Sequence, residues 1–217
     1  MKGVAFFDLD RTLIRENSAS LYVRHETAAG RLSKLRLMEA MFYMGLYHFA
    51  LVRMDLAVRK AIRLYQGDLE SELRARTQAW FHREIAPRLL PGARAAIKSH
   101  QEAGDAVVLL TGSSWYAAEA ARDAWGLDGI LANRPLIDAQ GILTGDVEEP
   151  VCYGAGKVIW AERWAEQHGL SLEGCAFYTD SFTDVPMLER ATRAFVVNPD
   201  PRLRREAARR GWPILVW

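Results

Sequence analysis

The chain opens on an unbroken apolar run, Val4-Ala5-Phe6-Phe7, that stops abruptly at Asp8. A short run without alternation fits a strand buried on both faces of a parallel sheet, and residues 1–10 are expected to form one. From about Ser18 to Pro87 the pattern changes to helical spacing. Four segments follow, near 18–29, 31–53, 55–66 and 69–86, punctuated by Gly30, Asp55 and the Gly67-Asp68 pair. No strand-like alternation interrupts them, so the pattern predicts an all-helical block of roughly 70 residues.

After Pro91-Gly92 the elements alternate. A helix over Ala93–Ala103 leads to the strand "DAVVLLTGSS" and a helix over Tyr116–Ala124. Short strands are expected around Ile130–Asn133, Leu136–Asp138 and Ile142–Gly145, with a turn over residues 138–141. A helix after Lys157, the strand "CAFYTD", a helix over Val185–Arg190, the strand "AFVV", an arginine-rich helix and a last strand "PILVW" complete the chain. Strand–helix alternation predicts an α/β fold, a Rossmann-like doubly wound parallel sheet. Residues 1–14 and 90–217 would form its core, and residues 15–89 an inserted all-helical domain.

Bulk composition narrows the partners only slightly. A net charge of +1 offers nucleic acid no strongly basic face. The densest basic cluster, Arg202, Arg204, Arg205, Arg209 and Arg210, is read as a solvated helix face. Cys152 and Cys175 make no CxxC and no zinc-ligand spacing, which points to a reducing, cytoplasmic setting. Asp8 and Asp10 fall where an export signal would need apolar residues. The run Met38–Val52 is 15 residues long and carries Glu39 and His48, too short and too polar to span a bilayer.

In an open parallel sheet the ligand site lies beyond the carboxyl ends of the strands. There the sequence places Asp8 and Asp10, then Thr111-Gly112-Ser113-Ser114, then Asp180 with Asp184 one turn on. Lys157 opens the helix before that last strand. Carboxylates gathered in this way stay ionised together only if a cation joins them. An all-oxygen site suits Mg²⁺, which keeps several waters and takes one or two carboxylates plus substrate phosphate. Lys157, Thr111 and the Gly112 N–H are the matching phosphate donors. This set of groups is what metal-assisted phosphoryl transfer needs. Asp8 and Asp10, two residues apart, point the same way and leave Leu9 to the core.

These residues resemble the haloacid dehalogenase superfamily of phosphohydrolases, in the branch (subfamily IB) that contains phosphoserine phosphatase. "DLDRT" is similar to the DxDx[TV] motif, "VVLLT" to the hydrophobic strand ending in Ser/Thr, Lys157 to the third-motif lysine, and "DSFTD" to the DxxxD acidic motif. The four occur in order, across essentially the whole chain, with the helical block where this branch carries its cap. The resemblance implies a Mg²⁺-dependent phosphomonoester hydrolase acting on a small phosphorylated metabolite. Asp8 would be the nucleophile that becomes an aspartyl phosphate, and Asp10 the general acid and base. Thr12 would hold the loop carrying Asp10, on the phosphate side. Asp8, the Asp10 carbonyl, Asp180 and Asp184 would serve the metal, and Thr111, Gly112 and Lys157 the phosphoryl oxygens.

The resemblance departs at the substrate. Phosphoserine phosphatases carry an acid just after the first motif to receive the ammonium. Here that segment is "LIRENSAS", in which Glu16 comes one residue early and Asn17 holds the aligned place. "DSFTD" also lacks the glycine usual in those enzymes. Glu16, Asn17, Arg24 and His25 are the residues of the block expected near the entrance. The apolar helix over 38–52 is read first as buried in the block or in a homodimer contact, and second as a surface for a lipid-like substrate or a membrane edge. Alternative functions are phosphotransfer to an acceptor alcohol, hydrolysis of lipid-like phosphates, and a phospho-accepting signalling module, against which Asp10 and the large insertion count. "GAGKV" at 154–158 is no P-loop, lacking its first glycine and its Ser/Thr.

Overall fold

The computed structural model describes residues 2–31 and 54–217. Six parallel strands form the central sheet: β1 (Val4–Phe7), β2 (Ala106–Ser114), β3 (Gly129–Asn133), β6 (Ala176–Thr179), β7 (Arg193–Val197) and β8 (Ile214–Leu215), in the order β3-β2-β1-β6-β7-β8. Chain order runs outward from β1 in both directions, the doubly wound arrangement expected from the alternation. Each residue of β1 is at most 1% exposed because both sheet faces are covered. Ala5 and Phe7 enter one core with α4 (Pro91–Ala103) and α5 (Trp115–Trp125). Val4 and Phe6 enter the other with α6 (Ala155–Gln167), α7 (Val185–Arg190) and α8 (Pro201–Arg210).

The block between β1 and α4 contains α1 (Ser18–Ala28), α2 (Met54–Arg63) and α3 (Glu70–Trp80) among the described residues. The expected helix over 31–53 and its apolar run 38–52 lie outside them. The segment expected as one helix over 69–86 is α3 followed by a π turn over Phe81–Ile85 and a 3-10 turn over Ala86–Arg88. Pro87 has no N–H to continue the ladder, and the tightened end carries the chain into α4. Trp80, Phe81, Ile85 and Leu89 sit in the same core as Phe7 and α4, so the end of the helical block is continuous with the sheet's packing.

The two short strands expected around Leu136–Asp138 and Ile142–Gly145, joined by a turn, lie apart from the central sheet. β4 (Pro135–Ile137) and β5 (Leu143–Val147) form a separate antiparallel hairpin. Its backbone is joined to the helical block: the Gly67 N–H donates to Leu143 O at 2.9 Å, the Leu143 N–H to Asp68 O at 3.0 Å and the Glu70 N–H to Gly141 O at 2.9 Å. The last strand is only Ile214–Leu215, shorter than "PILVW", on the sheet edge beyond β7. No helix of the described residues is long and apolar enough to cross a membrane.

Candidate active site

The β1 ladder extends one residue past the strand, with the Asp8 N–H donating to Tyr178 O at 2.9 Å. The chain then reverses. Arg11 takes a left-handed conformation (φ 57°), and Leu9 O accepts from the Leu13 and Ile14 N–H groups at 2.9 and 3.2 Å. Leu9 is fully buried, and Asp8 and Asp10 both face a cavity of about 700 Å³ over the carboxyl edge of the sheet. The same turn sends Thr12 into the core. It is fully buried, its hydroxyl has no hydrogen-bond partner, and it does not line the cavity. The expectation that Thr12 faces phosphate is therefore corrected.

Asp8 accepts from Lys157 Nζ at 3.0 Å, and the same ammonium donates to Asp184 Oδ2 at 2.7 Å. Lys157 sits in the first turn of α6 and is 2% exposed. Gly156 before it makes this approach possible, since a Cβ there would lie 2.0 Å from Val151 O. Thr179, at the end of β6, donates its hydroxyl to Asp184 Oδ2 at 2.7 Å. Asp180, Thr111 and Gly112 complete this end of the cavity. Asn133, at the end of β3, donates to Gly112 O at 2.7 Å and accepts from the Cys152 N–H at 2.9 Å, pinning the loop after Thr111. Sequence reasoning gave neither Asn133 nor Thr179 a role, although Thr179 stands at the same strand end as Asp180; the available signal was a polar residue closing each buried strand.

Asp10 is held by the helical block. One oxygen accepts from the Ser18 N–H at 2.7 Å, and the other from the Asn17 amide at 3.1 Å. Asn17 also caps α1, its carbonyl accepting from the Ser20 N–H and hydroxyl, both at 3.0 Å. Ser18, which the sequence did not single out, shares a hydrogen bond with Ser113 at 2.8 Å, so the first turn of α1 ties Asp10 to the loop after β2. Asn17 lines the cavity, whereas Glu16 and Arg24 do not. Glu16 turns outward to Arg88 at 2.6 Å, and Arg24 is exposed on α1. His25 pairs with Glu84 at 3.1 Å instead of reaching the cavity.

The electrostatics of this edge are unbalanced. Burial, against the pull of Lys157, pushes the Asp8 carboxyl up to about 6, and burial with the nearby Asp8 and Asp184 carboxyls pushes Asp180 up to about 8. Burial also raises Asp10, while the Ser18 hydrogen bonds oppose it. Burial alone would lower Lys157, but Asp184 and Asp8 hold its ammonium above the ordinary lysine value. Among the described residues, one lysine faces four clustered carboxylates, Asp8, Asp10, Asp180 and Asp184. Asp184 Oδ1 is buried without a hydrogen-bond partner, an orphan that a bound cation would satisfy. Among the described residues no three His, Cys, Asp or Glu groups close into a cage of their own. An oxygen-only, partly open donor set of this kind fits Mg²⁺, which completes its shell with water and substrate oxygens.

The haloacid dehalogenase-like hydrolase family matches residues 5–189. A Streptomyces azureus protein termed inhibition of morphological differentiation protein is 35% identical over 220 residues, 99% of this chain and 78% of that one. A phosphoserine phosphatase of Mycobacterium tuberculosis is 31% identical over 218 residues, covering 99% and 70%. A histidinol-phosphatase of Neisseria meningitidis is 27% identical over 225 residues, covering 99% of both chains. Among solved structures, a protein of unknown function from Bordetella pertussis superimposes with a TM-score of 0.91 at 29% identity, over 99% of this chain and 98% of that one. With the parallel sheet, the strand-end carboxylates and these matches together, the chain belongs to the haloacid dehalogenase-like hydrolase family and is an enzyme.

Proposed function

We propose that the protein is a Mg²⁺-dependent phosphatase that hydrolyses a small phosphomonoester through an aspartyl phosphate on Asp8. The observation that carries this reading is Asp8 at the end of β1, 3.0 Å from a buried lysine ammonium and open to a cavity that also receives Asp10, Asp180 and Asp184. Relatives named as phosphatases, one for phosphoserine and one for histidinol phosphate, support the same reaction class.

An Asp8 carboxylate oxygen attacks phosphorus, the bond from phosphorus to the alcohol oxygen breaks, and Asp10 delivers its proton to the departing alcohol. In the second half Asp10 takes a proton from water, the water oxygen attacks phosphorus, and the bond to Asp8 breaks to release phosphate. Lys157 and the loop at Thr111-Gly112 hold the phosphoryl oxygens in this reading. Asp8, the Asp10 carbonyl and Asp180 are the groups that would hold Mg²⁺, with Asp184 in support. The ion, when bound, offsets the negative charge gathered by the carboxylates and the phosphoryl group.

The test is phosphate release from a panel of phosphomonoesters by wild type and Asp8→Asn, with Mg²⁺ and with EDTA. Turnover that requires Mg²⁺ and is lost in Asp8→Asn is expected. Undiminished turnover in Asp8→Asn would exclude the aspartyl phosphate.

A further inference from the structure

We propose that the alcohol part of the substrate is a neutral apolar body, aromatic or alkyl, and not a small ammonium-bearing group. This rests on the phosphomonoester reading above and narrows its substrate class.

The cavity has two chemically different ends. Among the described residues, the carboxylates that line it, Asp8, Asp10, Asp180 and Asp184, all lie at the sheet end. The wall beyond them, from α1, α2, α3, α5 and β5, includes Tyr22, Val58, Tyr65, Leu73 and Leu143 and carries no carboxylate among the described residues. Part of that wall is already a packed cluster, Leu73 and Leu143 with Tyr116, against which Tyr65 rests. It therefore offers a preformed apolar surface. Among the described residues the charged side chain on the wall away from the sheet end is Lys60, a cation.

Among the described residues, Glu16, Glu26 and Glu70, acids of the helical block, are committed elsewhere. Glu16 pairs with Arg88 at 2.6 Å outside the cavity. Glu26, 1% exposed, pairs with Arg31 at 2.8 Å. Glu70 pairs with Arg74 at 2.8 Å. Asn17 spends its carbonyl on Ser20 and its amide on Asp10. An ammonium held against this wall would lose water and meet no carboxylate there among the described residues, while an apolar body gains from each unit of surface it removes from water. Size agrees. A cavity of about 700 Å³ is in the range that encloses drug-sized ligands, and a three-carbon amino-acid ester would leave most of it to water.

The experiment compares kcat/KM, in Mg²⁺, for 2-phenylethyl phosphate and octyl phosphate against O-phosphoserine and O-phosphoethanolamine, with p-nitrophenyl phosphate as the check on chemistry. The apolar esters are expected to exceed the ammonium esters by about 10- to 100-fold, chiefly through KM. The ratio of the two apolar esters separates an aromatic alcohol from an alkyl chain. In Val58→Glu, which places a carboxylate on the wall, the apolar-to-ammonium ratio should fall by at least about tenfold. Ammonium esters as good as or better than apolar ones would overturn the inference and leave the phosphatase reading intact. So would an unchanged ratio in a folded Val58→Glu protein; if that variant does not fold, the wild-type ratio decides alone. No turnover of any ester, p-nitrophenyl phosphate included, would remove the phosphatase reading and this inference with it.

Discussion

Asn17 does two jobs with one side chain, and they can be separated. Its amide donates to Asp10 at 3.1 Å and its carbonyl caps α1 through the Ser20 N–H at 3.0 Å. Asn17→Asp keeps an N-cap acceptor, so stability should stay near wild type, but it removes the donor and sets a like charge beside Asp10. Asn17→Ala removes both, and the lost cap should cost about 1 kcal/mol by chemical denaturation. A hydrogen bond to a charged group is worth about 1.5–3 kcal/mol, which converts to roughly 10- to 150-fold in rate. That loss should appear only where Asp10 must protonate the leaving oxygen. The readout is kcat/KM, which covers the steps through formation of the proposed aspartyl phosphate. Both variants should lose roughly 10- to 150-fold on an alkyl phosphate. On p-nitrophenyl phosphate, whose leaving group departs without a proton, they should lose less than about threefold. Equal losses on the two esters, or a loss in KM on both, would refute the assignment of Asn17 as the residue that positions Asp10.

Further outcomes follow from the same geometry. Lys157→Met leaves Asp8 and Asp184 buried without their shared cation, and should abolish turnover and lower stability by about 3–5 kcal/mol in a denaturant titration. Gly156→Ala must move the backbone at Val151, so a loss of activity larger than its loss of stability is expected from comparing kcat with Tm. Burial works against Asp105, but hydrogen bonds from His100 and Arg193 hold its carboxyl below the ordinary 3.8. Its contribution is thus complete above that value and lost as pH falls below it, and the stability gap between wild type and Asp105→Asn should shrink as pH drops under 3.8. Cys152 and Cys175 are fully buried, and burial pushes the Cys152 thiol up to about 12, so neither should react with a thiol reagent until the protein unfolds.

Much of the fold was legible because its elements carry strong local signals. Strand β1 is four apolar residues without alternation, and only a strand covered on both faces tolerates that. The order of polar residues at strand ends was equally readable. A parallel sheet delivers its carboxyl edges to one side, so Asp8, Asp10, Thr111, Asp180 and the lysine before β6 had to be sought together. The hairpin of β4 and β5 was not legible as a separate sheet. Its strands and their turn were readable, but their placement against the helical block comes from backbone bonds to residues 67–70, about seventy positions earlier in the chain.

The same division runs through the site. Residue types and spacing pointed to the proposed chemistry, because phosphoryl transfer needs a nucleophile, an acid, a cation site and phosphate donors, and few side chains serve those needs. Only the tertiary structure decided which neighbours were spent on other work. Thr12 turns into the core because Arg11 reverses the chain, and Glu16 leaves the cavity because Arg88 is within 2.6 Å outside it. Asn17 faces Asp10 because it also caps the helix that follows. Such outcomes depend on pairings across long separations in sequence, and local pattern carries no record of a partner that folding brings from 72 residues away.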